Sequence, residues 1–174
     1  MTTGSPAHKS EQTISETDSD FHFRDGLTTD ALAISQLISQ FAPDFCVNPD
    51  GSGADLFLQS VSESAEFSYL SDARHHFILA WHGETLAGFI AMRDVSHLFH
   101  LFINPSFQRK KLASTLWQRA RQYASARGHT GSFTVNSSLN AIPVYERFGF
   151  QTKGEVVEMH GIAFLPMQIP VVHP

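Results

Sequence analysis

Three groups of residues in this chain have side chains and spacing that could do chemistry. Arg109, Lys110 and Lys111 stand just before an amphipathic run that begins at Leu112. A helix presents partial positive charge at its start, so three cations there raise its energy unless an anion arrives. A phosphate held by the free N–H groups of the first turn would turn that repulsion into attraction. A solvated loop with its long side chains in water is the other reading. The second group, Asn136, Ser137, Ser138, Ala141 and Tyr145, lies within Phe133 to Phe150, a strand, an Asn/Ser-rich turn and a short helix in succession. That arrangement offers one tyrosine to the turn, and a helix tyrosine packed on a sheet is its plainer reading. The third group is His97 and His100 in the run HLFHLFI. Imidazole, with an unperturbed pKa near 6.5, can take up a proton at neutral pH. A strand histidine held by a hydrogen bond is the alternative for each, and a bulge could bring either one to a pocket.

Other polar residues carry less. Cys46 has no histidine placed by sequence to activate it and reads as a loop thiol. His75, His76 and His82 lack a supporting Cys/His/acid cluster, and adjacent strand positions face opposite ways. Asn48 to Gly53 resembles a calcium loop, but Pro49 and the missing distal glutamate make it a turn. No metal is expected.

The positioning elements follow from periodicity. Residues 1–20 hold almost nothing apolar besides Ile14 and read as a flexible tail, with one folded domain over 21–174. Phe21 to Leu27 alternates as a strand does. Thr28 or Thr29 can cap a helix through Leu32, Ile34, Leu37, Ile38 and Phe41, which Pro43 ends, and a second short helix spans Leu56 to Val61. From His76 to Ile103 three strands form an antiparallel meander, turning at His82-Gly83-Glu84 and after Arg93-Asp94. Leu112 to Arg127 is a helix stopped by Gly128, and Gly131 to Asn136 a strand. Asn140 can cap a further helix that tolerates Pro143 in its first turn and stops at Gly149. Val156 to Met159 and Ala163 to Val171 close the chain as a hairpin around His160-Gly161. The order β-α-α-β-β-β-α-β-α-β-β gives an α/β fold, a mixed sheet with helices on its faces.

Bulk composition excludes several classes. At 174 residues, with 42% hydrophobic side chains and 15 Phe, the chain can bury a core without disulfides or metals. A formal charge of -5 opposes a nucleic-acid backbone, so no nucleic-acid partner is expected. One cysteine excludes an internal disulfide and suits a reducing, cytoplasmic compartment. No apolar run approaches the roughly 18 residues that would span a bilayer, nor does the N-terminus read as a secretory signal, so no membrane is expected.

The segment Gln108-Arg109-Lys110-Lys111-Leu112-Ala113 resembles the Gln/Arg-x-x-Gly-x-Gly/Ala signature of the GNAT superfamily of N-acetyltransferases. Asn136-Ser137-Ser138 with Ala141, Tyr145, Gly149 and Phe150 is similar to that family's second motif, and the element order agrees from about Phe21 to Val171. The resemblance implies transfer of acetyl from acetyl-CoA to a primary amine of a small molecule or peptide by direct attack. It implies that residues Gln108 to Ser114, including Leu112, Ala113 and Ser114, hold the diphosphate. The pantetheine arm would pair like a strand with Leu101, Phe102 and Ile103, where backbone N–H groups could stabilise an oxyanion. Asn136 would hydrogen-bond the arm, and Ala141 would leave it room. Tyr145 would give a proton to the leaving thiolate. His97 falls where some members carry a glutamate base, needed because an alkyl ammonium has a pKa around 10.

One position departs from the pattern. Lys111 replaces the first motif glycine, and the expectation is a helical backbone there, with an amine that reaches a phosphate and altered rather than abolished binding. Three alternatives stand beside this reading: a non-catalytic acyl-CoA-binding or regulatory module, which Lys111 motivates, a transferase using a longer acyl thioester, and a protein-interaction domain with no ligand. The acceptor pocket is expected between the Phe41 to Asp55 region and the closing hairpin, where Phe45, Phe57, Glu155, Glu158 and His160 are available. The edge of the last strands offers a surface for a homodimer.

Overall fold

Residues 20–48 and 50–171 are described by the structure, a computed structural model. The expected tail lies outside the described residues apart from Asp20. The elements are β1 (His22–Asp25), α1 (Ala31–Ser39), α2 (Ala42–Phe45), α3 (Asp55–Ser60), α4 (Glu63–Ser71), β2 (His75–His82), β3 (Thr85–Arg93) and β4 (His97–Ile103), followed by α5 (Leu112–Ala126), β5 (Phe133–Ser138), α6 (Ile142–Arg147), β6 (Gln151–Thr152), β7 (Val157–Met159) and β8 (Ile162–Ile169). The expected order is retained, with α2, α4 and β6 added to it.

Several local expectations are corrected. Thr28 and Thr29 do not cap α1; they lie in a 3-10 turn, and Asp30 precedes the helix. The Asp30 carboxylate is occupied elsewhere, accepting from the Leu27 N–H at 2.7 Å and from both terminal nitrogens of Arg24 at 2.7 Å. Pro43 does not end α1, which closes at Ser39; it sits in the first turn of α2, where its missing N–H has no helical partner to lose. Asn140 does not cap α6 either, because Ala141 holds that position and Asn140 belongs to the preceding 3-10 turn. Gly128 and Gly149 end their helices at φ of +76° and +94°, as the stop signals require.

The sheet runs β1-β2-β3-β4-β5-β8-β6, and β7 also pairs with β8. Every registered pair is antiparallel except β4 with β5. β3 is buried from Leu86 to Met92 because helices cover both faces of the sheet. On one face Leu112, Leu116, Trp117 and Ala120 of α5 pack with Ile90, Met92 and Leu98. On the other, Ile34, Leu37 and Ile38 of α1 pack with Leu79, Phe89 and Ala91. Burying such side chains is worth about 1.5–3 kcal/mol each. Among the described residues no helix is long and apolar enough to cross a membrane.

The closing hairpin turns through His160 and Gly161, both at positive φ, which matches the twist of two antiparallel strands. Gly161 lies against the backbone of Gly53 so closely that a Cβ has no room. The Val47 N–H donates to the Gly161 carbonyl at 2.9 Å, and Cys46 bridges to Ile162. The hairpin turn thereby holds Cys46, Val47 and Gly53 against itself.

Candidate active site

The site grows from a gap in the sheet. β4 and β5 pair in parallel only at His97 with Thr134 and Leu98 with Val135. Beyond those residues the strands separate, although β4 runs on to Ile103 and β5 to Ser138. β4 stays on β3 along its length, with a bulge where Ala91 pairs His100 and Met92 pairs Leu98, leaving Phe99 as the extra residue. The Asn104 N–H donates to the Ala87 carbonyl at 2.9 Å, so alternation turns the amides of Leu101 and Ile103 away from β3 and toward the gap.

Two cavities open from this gap. The first, of about 640 Å³, is lined by Leu101, Phe102 and Ile103, by the start of α5 and by α6. Gln108, Arg109, Lys111, Leu112, Ala113 and Ser114 all face it. Lys110 does not; its amine lies 5.5 Å from the centre of the Phe107 ring. α5 has no acidic residue in its first turn and no side-chain cap, so its leading N–H groups and dipole meet the cavity uncompensated.

Lys111 precedes α5 with φ 61° and ψ 9°, a left-handed conformation. This corrects the expected helical backbone: the chain keeps the shape that the motif glycine would give and does so with a lysine. Arg109 is also left-handed, at φ 61°. Each such residue costs about 1–2 kcal/mol, which the surrounding fold must supply.

The second cavity, of about 410 Å³, lies under α3, α4 and the closing hairpin. Its wall holds His97, His100 and Asn136, together with Phe45, Phe57 and His160 from the expected acceptor region. Glu155 and Glu158, expected there too, are exposed outside it. The cavities share Phe45, Leu101, Phe102, Ser138, Ala141 and Tyr145. Tyr145 therefore stands in the partition between them. It is 6% exposed, and burial pushes its hydroxyl pKa upward, so the phenol keeps its proton at neutral pH.

The two histidines differ. The Nδ1 of His97 lies 2.8 Å from the Thr134 hydroxyl. Burial, helped by the Arg93 cation, lowers the pKa of His97 to about 4 and leaves it neutral at physiological pH. The bulge at Phe99 brings His100 to the same side, where its Nε2 lies 3.1 Å from Oε1 of Glu66 on α4. Glu66 is fully buried, and its Oε2 has no hydrogen-bond partner among the described residues. Tyr69, one turn on, packs edge-on against Phe99 with ring centroids 5.0 Å apart.

Glu66, Tyr69 and Arg93 were not anticipated from the sequence. The signal for α4 was Ser62, whose hydroxyl accepts from the Ala65 N–H at 3.3 Å as an N-cap before two acids. Among the described residues no group of three or more His, Cys, Asp and Glu could hold a metal ion.

A family model described as an acetyltransferase (GNAT) domain matches residues 47–171. No curated protein matches the chain. Solved structures with the same fold include a GCN5-related N-acetyltransferase from Rhodopseudomonas palustris, at TM-score 0.69 and 22% identity over 86% of this chain and 94% of that one. The PaiA N-acetyltransferase of Thermoplasma acidophilum, solved with coenzyme A, gives TM-score 0.68 and 16% identity over 86% and 98%. YncA of Salmonella typhimurium, solved with acetyl-CoA, gives 0.65 and 15% over 89% and 96%. At these identities the likeness is one of fold.

Proposed function

Because the chain belongs to the GNAT acetyltransferase family, we propose that it moves an acetyl group from acetyl-CoA to a primary amine by direct attack. The observation that carries this reading is the partition itself: one cavity begins at a bare helix start, the other at a pair of histidines, and Tyr145 touches both. Acetyl-CoA supplies the activated acetyl group as a thioester; the rest of the work falls to the chain.

Arg109, Lys111 and the first amides of α5 hold the diphosphate by charge and by N–H donation. Lys110, turned onto Phe107, adds to the local positive field. The gap-facing amides of Leu101 and Ile103 take the arm as a further strand and stabilise negative charge that develops on the carbonyl oxygen. Asn136 contributes its amide from the opposite strand, and the small Ala141 leaves space in the partition. Tyr145 gives its proton to the departing sulfur. The amine's proton goes to the histidine pair. His97, with its depressed pKa, is a weak base that offers the amine a hydrogen bond. His100 has the Glu66 carboxylate beside it to stabilise the imidazolium that forms.

Calorimetry with acetyl-CoA, followed by thiol release across a panel of amines, tests the proposal. Binding with acetyl-dependent thiol release is the expected result. Tight binding without release against any amine would favour a non-catalytic module, and preference for succinyl-CoA over acetyl-CoA would favour a longer acyl donor.

A further inference from the structure

We propose that the acceptor is a monoamine carried on an aromatic body, an inference that rests on the acetyl-transfer reading and names its substrate class. The lining of the second cavity includes polar groups that handle an amine, His97, His100 and Tyr145, beside Arg93 and Asn136. Rings surround them: His100 lies 4.1 Å from Phe99 and 5.8 Å from Phe102 between ring centroids. Phe45 lies 5.3 Å from Phe57 and 5.8 Å from Phe102 between ring centroids, and Phe164 and Met159 face them from the closing hairpin. Offset and edge-on contacts with such rings, and a thioether at the ring edge, favour a flat aromatic guest over an aliphatic one.

Charge points the same way. Among the described residues no Asp or Glu lines this cavity. Glu66 is shut behind His100, and Arg93 brings its guanidinium to the lining, with its carboxylate partner, Asp94 at 3.8 Å, outside it. A polyamine or an aminoglycoside would have to bring second and third ammonium groups up to the Arg93 guanidinium, with no carboxylate in the lining to meet them. A monoamine avoids that penalty, because its one nitrogen sits at the histidines and loses its proton there. At about 410 Å³ the cavity falls in the range that takes a small organic molecule.

Thiol release with acetyl-CoA is measured for 2-phenylethylamine, n-hexylamine, spermidine and kanamycin. The expected kcat/KM for 2-phenylethylamine exceeds that for n-hexylamine by about threefold to tenfold, the size of an aromatic contact, and exceeds the two polycations by at least about a hundredfold. Spermidine or kanamycin matching 2-phenylethylamine overturns the proposal, as does equality with n-hexylamine. If no amine releases thiol, the transfer reading fails while the cavity remains testable. Saturation-transfer NMR on the CoA-loaded protein then reads 2-phenylethylamine binding directly; a signal that excess spermidine does not displace supports the proposal, and no signal overturns it. Phe57→Glu should narrow the ratio of 2-phenylethylamine to spermidine, in rate or in binding, by about tenfold or more. Phe57→Ala, which adds no charge, should weaken 2-phenylethylamine about tenfold. An unchanged ratio in the first variant together with unchanged 2-phenylethylamine in the second refutes the assignment.

Discussion

Replacing Lys111 with glycine should make the protein more stable and its hold on acetyl-CoA weaker. Lys111 sits at φ 61° and ψ 9°, where an L-residue loses about 1–2 kcal/mol to the clash of its Cβ. Glycine removes that clash but gives the unfolded chain more freedom, at a loss of about 0.5–1 kcal/mol. The net gain is about 0.5–1 kcal/mol, a rise of roughly 1–4 °C in melting temperature for a domain of this size. The ligand side has the opposite sign. A charge-assisted hydrogen bond from the Lys111 amine to a phosphate is worth about 1.5–3 kcal/mol at most, and less at an exposed position. Acetyl-CoA should therefore bind about threefold to thirtyfold more weakly, with a smaller salt dependence. Lys111→Ala separates the two effects, since it keeps the Cβ and loses the amine: affinity should fall as in the glycine variant, while the melting temperature rises only by the relief of the helix-dipole repulsion, about 0.3–1 kcal/mol. Scanning calorimetry of the free protein and titration with acetyl-CoA at two salt concentrations read both quantities. A glycine variant that melts lower than the parent refutes the strain argument. One that binds acetyl-CoA more tightly shows that the side chain obstructs the diphosphate rather than holding it.

Tyr145→Phe should reduce kcat by about 10²- to 10⁴-fold, the usual worth of a positioned acid, with acetyl-CoA affinity nearly unchanged; unaltered kcat removes the hydroxyl from the reaction. Glu66→Gln keeps the shape but weakens the hold on His100, whose Nε2 lies 3.1 Å from Oε1, so kcat should fall by about tenfold or more with acetyl-CoA affinity unchanged, and an unaltered kcat leaves Glu66 a merely structural residue. Stability should also fall with acid in two steps. His97 has a folded pKa of about 4 against roughly 6.5 unfolded, so the unfolded chain binds more protons between those values and the melting temperature should drop from pH 6.5 toward 4. Burial raises the pKa of Asp30, but bonds from Arg24 and from the Leu27 N–H outweigh it and leave the carboxyl below its ordinary range. Its contribution is therefore complete above roughly pH 3.9 and lost as pH falls through the folded value. A melting temperature flat from pH 6.5 to 4, or no smaller acid loss in Asp30→Asn, would contradict these assignments.

What was legible in the sequence was whatever hydrophobic period or turn chemistry carries. α5 declares itself because Leu112, Leu116, Trp117 and Ala120 share a buried face, and the last hairpin because His160-Gly161 is turn-forming. α4 did not, since the residue it turns fully inward is Glu66, an acid that a hydrophobic pattern scores as solvent-facing. One of its large apolar residues, Phe67, is 53% exposed instead. The Glu66–His100 pair was invisible for a related reason: 34 residues separate the partners, and only the bulge at Phe99 turns the imidazole toward α4. The caps failed because side-chain oxygens have several suitors. Asp30 answers Arg24 and the Leu27 amide before it could serve α1, and no local pattern records that competition.

The site's main device lies below the level of side chains altogether. Each strand that borders the gap has its other edge engaged, β4 with β3 from His97 to Ile103 except at the Phe99 bulge and β5 with β8 at all six of its residues. The sheet can therefore part at this seam without either strand losing its place, so the cost falls on the inward amides alone, such as those of Leu101 and Ile103. An amide without a strand partner is unfavourable wherever water is kept from it, by an amount comparable to a lost hydrogen bond, and a strand-like ligand would restore that bond. Any residue except proline supplies the same N–H and C=O, so HLFHLFI identifies a strand and says nothing of which edge will be bare. That is decided by β8, which pairs Ser138 with Phe164 and holds β5 aside just where β4 continues toward α5. On the proposed reading, binding is encoded in the register of a distant strand as much as in the cations at 109 to 111.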